Sequence, residues 1–244
     1  MADELSVVVL SKLKKVDQRR IFGPQEDFAR YPRTLDEDRA ILADVGADLL
    51  FVPAAGEMYP PGSSTFVEPP AVAAPLEGAC RPGHFRGVTT VVLKLLNQVT
   101  PDAAYFGRKD FQQSAVIRQM VLDLDLNVQI VVCPTVREPD GLALSSRNRY
   151  LSATDRQAAL VLSRSLRLAV ELVDAGERDA ATILTRMREV ISTAPDVQLE
   201  YLVLVDPVTL AEVSAVSRPT AALLAARIGG TRLIDNEVLG GWLP

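Results

Sequence analysis

The chain has 244 residues, 48% of them apolar, and its 26 basic and 31 acidic residues leave a net charge of −5. That length and apolar content can bury a substantial core and fit one large or two modest domains. Without a basic stripe, the charge balance argues against nucleic acid as a partner, and no apolar run reaches the roughly 20 residues that cross a bilayer.

Met1–Glu4 lacks the basic start of a secretory signal, so a cytoplasmic location is expected. Cys80 and Cys133 stand far apart and match no metal-ligand or redox spacing, which predicts buried or idle thiols.

Short β-branched runs alternate with helical periods along the chain, a pattern that predicts an α/β arrangement with a largely parallel sheet. Ser6–Leu10 (SVVVL) predicts a strand. A helix follows from Thr34, which has capping-box spacing to Glu37, and Gly46 can end it. The run ADLLFVP predicts a second strand stopped by Pro53. From Ala54 to Pro82 the chain is rich in Pro, Gly and Ser, too broken for regular elements and long for an idle connection.

Val88, Val91, Val92, Leu95, Leu96 and Val99 then form the apolar stripe of a helix packed on a sheet. AAYFG predicts a short strand ending at Gly107, DFQQSAVIRQMVLDL a helix and VQIVVCPTV the next strand. Beyond the serine-rich loop the texture changes. A long amphipathic helix carries Leu162, Leu166, Ala169, Val170 and Val173 on one face, and DAATILTRMREVIS forms a second helix. LEYLVLVD and TAALLAARIGGTRLIDNEVL supply strands for a small α+β unit. The domain boundary is placed near Thr135, dividing the chain into 1–135 and 136–244.

Open parallel sheets place their ligands at strand ends, and the chemistry gathers there. In YFGRKDFQQ, Gly107 ends a strand, Lys109 and Asp110 sit at the turn, and Gln113 lies one turn into the helix. A helix N-terminus offers N–H groups and partial positive charge to a phosphate, and Lys109 adds a mobile full charge. Equally, Asp110 and Gln113 have the spacing of a capping box that serves the helix alone, worth about 1 kcal/mol.

The second such point is GLALSSRNRYLS, Gly141–Ser152. Its serines donate hydrogen bonds to anionic oxygens, and the fork of Arg147 fits two phosphate oxygens at once. Alternatively it is a polar linker in which Arg147 or Arg149 pairs with an acid and Ser152 caps the next helix with Asp155. His84, the one histidine, lies in RPGHFRG, where a structural hydrogen bond to backbone competes with a catalytic role. Arg81 can guide a carboxylate or be a surface residue.

Taken together, LEGACRPGHFRGVTTVVLKLLNQVTPDAAYFGRKDFQQ and PTVREPDGLALSSRNRYLS, with EDFARYPRT, EMYP and GTRLIDN in the same order, make the chain resemble the pantothenate synthetases from about Phe22 to its end. Those enzymes are ligases that join pantoate to β-alanine at the expense of ATP. The resemblance implies an AMP-forming acid–amine ligase of the nucleotidylyl-transferase superfamily. It also implies a Rossmann-like N-terminal domain, a small α+β C-terminal domain that closes over the site, and a homodimer. In such enzymes the pantoate carboxylate attacks the α-phosphorus of ATP to give pantoyl adenylate and pyrophosphate, with Mg2+ neutralising the triphosphate, and the β-alanine amine then displaces AMP.

Carried onto this chain, the resemblance makes Gly107, Arg108, Lys109 and Asp110 a nucleotide-binding segment. It makes Gln113 a pantoate ligand, Val136 a backbone contact for adenine, and Leu144, Ser145, Ser146 and Arg147 the flexible phosphate-binding loop. Lys109, Ser145, Ser146 and Arg147 would stabilise the triphosphate as charge develops. Met is usual where this chain has Leu144, and an acidic residue is common where it has Arg108.

The start of the chain departs from the pattern. The family's first strand and its His-x-Gly-His motif, whose imidazoles stabilise the triphosphate, are expected before SVVVL, where this sequence has Met1–Leu5. On a direct count back from Phe22, the glutamine of the family's Asn-Pro-x-Gln segment is replaced by Ile21, which makes no hydrogen bond. The basic residues between Lys12 and Arg20 also fit poorly as the end of a buried parallel strand. These departures predict an N-terminally truncated or altered member. At about 2.7 to 4 kcal/mol per lost donor, they cut the rate by several orders of magnitude. Three readings stay open: a working ligase relying on Lys109, Ser145, Ser146 and Arg147; an inactive or weakly active homologue keeping part of the ATP site; and a non-catalytic nucleotide-binding module.

Overall fold

Parallel pairing opens the chain: in the computed structural model, which describes residues 35–241 together with 7–8, β1 (Val7–Val8) runs parallel to β2 (Leu49–Leu50). Helix α1 (Leu35–Asp44) lies between them in sequence, the crossover that adjacent parallel strands need. Thr34, the Lys12–Arg20 run and Ile21 lie outside the described residues.

The Pro-rich stretch from Ala54 to Pro82 was expected to hold no regular element, yet it forms single helical turns. These are α2 (Ala55–Met58), a 3-10 turn at Ala71–Ala73 and α3 (Glu77–Cys80). Each is too short to show an amphipathic period, which is why pattern alone passes over them. The extended backbone at Val67 is tied down by α4 (His84–Val99): Thr89 Oγ1 donates to the Val67 carbonyl at 2.8 Å, and Val67 N–H donates to Thr90 Oγ1 at 2.9 Å. Two adjacent threonines thus satisfy both polar backbone groups of one loop residue. Along α4 the predicted apolar stripe is buried at Val88, Val91, Val92, Leu95 and Leu96, while Val99 at its end is half-buried and Phe85, outside the predicted stripe, is also inside.

Next, β3 (Ala103–Gly107) pairs with β4 (Gln129–Cys133), and α5 (Phe111–Asp123) connects them while burying Val116, Ile117 and Met120. The chain divides into two compact units: the first comprises the chain through Ala104 with Val116–Val131, the second Tyr105–Ala115 with Val132–Pro244.

In the second unit, α6 (Ala153–Asp174) and α7 (Ala180–Ser192) pack on an antiparallel sheet of β5 (Gln198–Val205), β6 (Thr220–Ile228) and β7 (Thr231–Leu239), with β6 central. Leu162, Leu166, Ile183 and Met187 of the helices meet Leu224, Ala226 and Ile228 of the sheet in one apolar cluster. Ser152 caps α6 as its spacing predicts, accepting from Asp155 N–H at 3.1 Å. Gly229 and Gly230 turn β6 into β7 with φ of 53° and 81°, a two-residue hairpin that demands left-handed backbone. At Gly229 a Cβ would also collide with the Asp155 carboxylate.

The observed class is therefore mixed α/β, with parallel pairing in the first unit and a separate antiparallel α+β unit, as the sequence pattern predicts. Among the described residues, no helix is long and apolar enough to cross a membrane. Both cysteines are free. Cys80 is exposed and Cys133 half-buried, so neither is buried, one of the two alternatives expected.

Candidate active site

Strand β3 ends at Gly107, and the chain passes directly into a single 3-10 turn, Arg108–Asp110, and then into α5. This direct entry leaves no extended cap residue in front of Phe111. Among the described residues, the side chains of Asp110 and Gln113 form no capping box, and Ser114 Oγ instead donates to the Asp110 carbonyl at 3.4 Å. The Lys109 ammonium makes no ion pair among the described residues, although Lys109 is half-buried. A cation held part-way out of water without an acid is suited to an anionic ligand. Gln113 stands half-buried one turn further on.

The segment after β4 is a tight hairpin that pattern reading missed. Glu138 N–H donates to the Leu142 carbonyl, Gly141 N–H to the Glu138 carbonyl and Leu144 N–H to the Val136 carbonyl, each at 2.8 Å. Its tip, Glu138-Pro139-Asp140-Gly141, has Pro and Gly where a type I turn favours them, and Gly141 takes a φ of 93°. That dipeptide spacing is the signal that could have revealed it. Val136 and Leu144 flank the open end, 65% and 55% exposed, and among the described residues the Val136 N–H has no hydrogen-bond partner.

Out of this hairpin runs the Ser145–Arg147 segment. Ser145 Oγ accepts from Arg147 N–H at 3.3 Å and starts a 3-10 turn, Ser146–Tyr150. Asn148, buried at the centre of that turn, donates through Nδ2 to Glu138 Oε1 at 2.6 Å and to the Ala143 carbonyl at 3.0 Å. Arg156 of α6 reaches back to pair with Glu138 and, through Nε at 2.9 Å, with Asp140. Asn148 and Arg156 thereby fasten the hairpin to both the serine turn and the helix, and the sequence singled out neither.

Charge is organised around these ties. The Asn148 amide, and then Arg156, hold the Glu138 carboxyl below its ordinary range. The Leu142 N–H does the same for Asp140, with Arg156 adding to it. Burial works against the charge of Arg137, but the hydrogen bonds and charges of Asp235, with Glu237 beyond, push its pKa up. Arg137 Nη1 and Nη2 donate to the two oxygens of Asp235 at 2.8 and 3.0 Å.

In the first unit, Arg81 lies with its guanidinium 4.0 Å from Glu77 and 3.0 Å from His84 Nε2. Because Arg can only donate, that imidazole nitrogen is the acceptor in this contact. The bond expected between His84 and backbone thus has a side-chain counterpart in Arg81.

The fold and these two polar turns are those of an α/β protein that presents cations and N–H groups beside strand ends. More particularly, the chain belongs to the pantoate-β-alanine ligase family, whose model matches residues 6–238. It is 54% identical over 219 residues to the pantothenate synthetase of Acidobacterium capsulatum, covering 90% of this chain and 73% of that one. To the pantothenate synthetase of Chloroflexus aurantiacus it is 55% identical over 221 residues, covering 90% and 79%. Its structure is similar to the crystal structure of pantothenate synthetase from Thermus thermophilus, with a TM-score of 0.87 and 47% identity over 90% of this chain and 79% of that one. It is also similar to the pantoate-β-alanine ligase of Francisella tularensis in complex with β,γ ATP and β-alanine, with a TM-score of 0.70 and 33% identity over 95% and 79%.

Proposed function

We propose that the chain condenses pantoate with β-alanine at the expense of ATP. A carboxylate oxygen of pantoate attacks the α-phosphorus, the bond to pyrophosphate breaks, and pantoyl adenylate results. The β-alanine amine then attacks the acyl carbon, expels AMP and gives up a proton. The observation that carries this reading is the family match over residues 6–238, which includes both polar turns. The likeness to a ligase crystallised with β,γ ATP and β-alanine supports the choice of those two ligands.

Within that reading Gly107, Arg108, Lys109 and Asp110 receive the nucleotide phosphates, and the Val136 N–H contacts adenine. Leu144, Ser145, Ser146 and Arg147 close on the triphosphate, and Gln113 holds pantoate. The Lys109 ammonium, without an ion pair among the described residues, supports its part. In the first unit, Arg81 is a carboxylate guide whose charge Glu77 partly offsets. Among the described residues, no group of three or more His, Cys, Asp or Glu is arranged to hold a metal ion. Magnesium, which the family resemblance implies, would neutralise charge on the triphosphate. Lys109, Ser145, Ser146 and Arg147 stabilise the charge that develops on the triphosphate. The family resemblance also supports a cytoplasmic homodimer with domains 1–135 and 136–244, the second acting as a lid.

Lys109→Ala and Arg147→Lys test the assignment. Each is expected to lower kcat/KM for ATP by about 100-fold while leaving the KM for β-alanine unchanged. Unchanged kcat/KM in both variants would remove these residues from the site.

A further inference from the structure

On β7, Asp235 and Asn236 close the GTRLIDN motif and Glu237 follows it, and none of the three has a role in the reading above. Its strand packs against both polar turns, Arg108–Asp110 and Ser146–Tyr150. Across the hairpin Asn236 is opposite Leu223 and Asp235 opposite Leu224, so the two side chains leave opposite faces of the strand.

Asn236 is 2% exposed. Its Nδ2 donates to the carbonyls of Arg108 at 3.0 Å and Lys109 at 2.9 Å. Two carbonyls can only accept, so the end of the amide that faces them must be its NH2. On its other side, the Asn236 carbonyl accepts from Arg137 Nη2 at 3.3 Å, and Asp235 takes the same guanidinium by both oxygens. Glu237 adds Arg108 at 3.4 Å. One residue is thus bonded to the turn that carries Lys109 and to the root of the hairpin that leads into Ser145–Arg147.

The Asn236 Oδ1 is buried without a hydrogen-bond partner among the described residues, an arrangement that costs stability and calls for a reason. The two-carbonyl grip supplies one, because it fixes the backbone of Lys109 against a rigid sheet rather than against a loop.

We infer that Asn236 is a positioning residue that sets the place of Lys109, and so aims its ammonium at the nucleotide phosphates. The phosphate half of this inference rests on the function proposed above.

The test is a double-mutant cycle on the full chain, using dissociation constants for ATP and for adenosine measured well below the melting temperature. Asn236→Ala is expected to reduce the preference for ATP over adenosine by about 10- to 100-fold, with adenosine binding unchanged. In a Lys109→Ala background the same change is expected to add less than about twofold, since the two residues act through one contact. Should the alanine variant not fold, Asn236→Ser keeps one donor and is expected to show an intermediate loss with the same dependence on Lys109. Equal losses for ATP and adenosine, full additivity in the cycle, or an unchanged preference would each overturn the positioning role. A wild-type chain that binds ATP no better than adenosine would instead overturn the proposed function, and with it the role of Lys109.

Discussion

Arg137 and Asp235 show how much a single pair can decide. Asp235 is 4% exposed, and its two oxygens accept from the Arg137 guanidinium while Oδ1 also accepts from the Asn236 N–H at 2.8 Å. Replacing Arg137 by Ala strands that charge and is expected to cost about 3 to 5 kcal/mol. The cost should appear as a lower urea midpoint with an unchanged m-value; a loss below about 1 kcal/mol would show that water replaces the arginine. None of this was legible in the sequence, because the partners stand 98 residues apart and nothing in PTVREPDG points to β7. Lys109 and the Ser145–Arg147 run could be singled out for proposal from residue type and their place after a strand, a signal carried locally.

Elements are held by short-range devices, and those read best from sequence. Ser152 and Asp155 satisfy each other's backbone N–H at the start of α6, as their spacing predicts. Ser152→Ala is expected to destabilise the protein by about 1 kcal/mol, read as a lowered thermal midpoint. The capping box that Asp110 and Gln113 offered as an alternative to a ligand role has the same spacing and does not form among the described residues, where the 3-10 turn at Arg108–Asp110 runs straight into α5. Spacing reports what a helix start could use, while the preceding backbone decides whether it does.

The tie between hairpin and α6 makes a pH prediction. Glu138 and Asp140 both have lowered pKa values in the fold. Carboxylates of this kind contribute stability that is fully present above their ordinary value, about 4, and is lost as pH falls through the lowered folded value. Urea midpoints are therefore expected to decline as pH drops below about 5. The decline should be shallower in Arg156→Gln. An identical slope in both proteins would assign the acid sensitivity to other groups.

At the scale of the whole molecule, the alternation of strand and helical periods was enough to foretell an α/β chain ending in a separate antiparallel α+β unit. Long amphipathic helices such as α4 and α6 announce themselves, since their buried faces repeat over several turns. The one-turn helices between Ala54 and Pro82 do not, and the hairpin at 136–144 signals itself only through the Pro and Gly of its tip, its ties to Asn148 and Arg156 being invisible to pattern.

The central claim, that this chain is an AMP-forming ligase of pantoate and β-alanine, is tested most directly by AMP formation. The purified chain would be given ATP, magnesium, pantoate and β-alanine, with each acid omitted in turn. AMP in excess over enzyme only when both acids are present is the predicted result. A folded chain that forms no AMP, or forms it regardless of either acid, would contradict the claim.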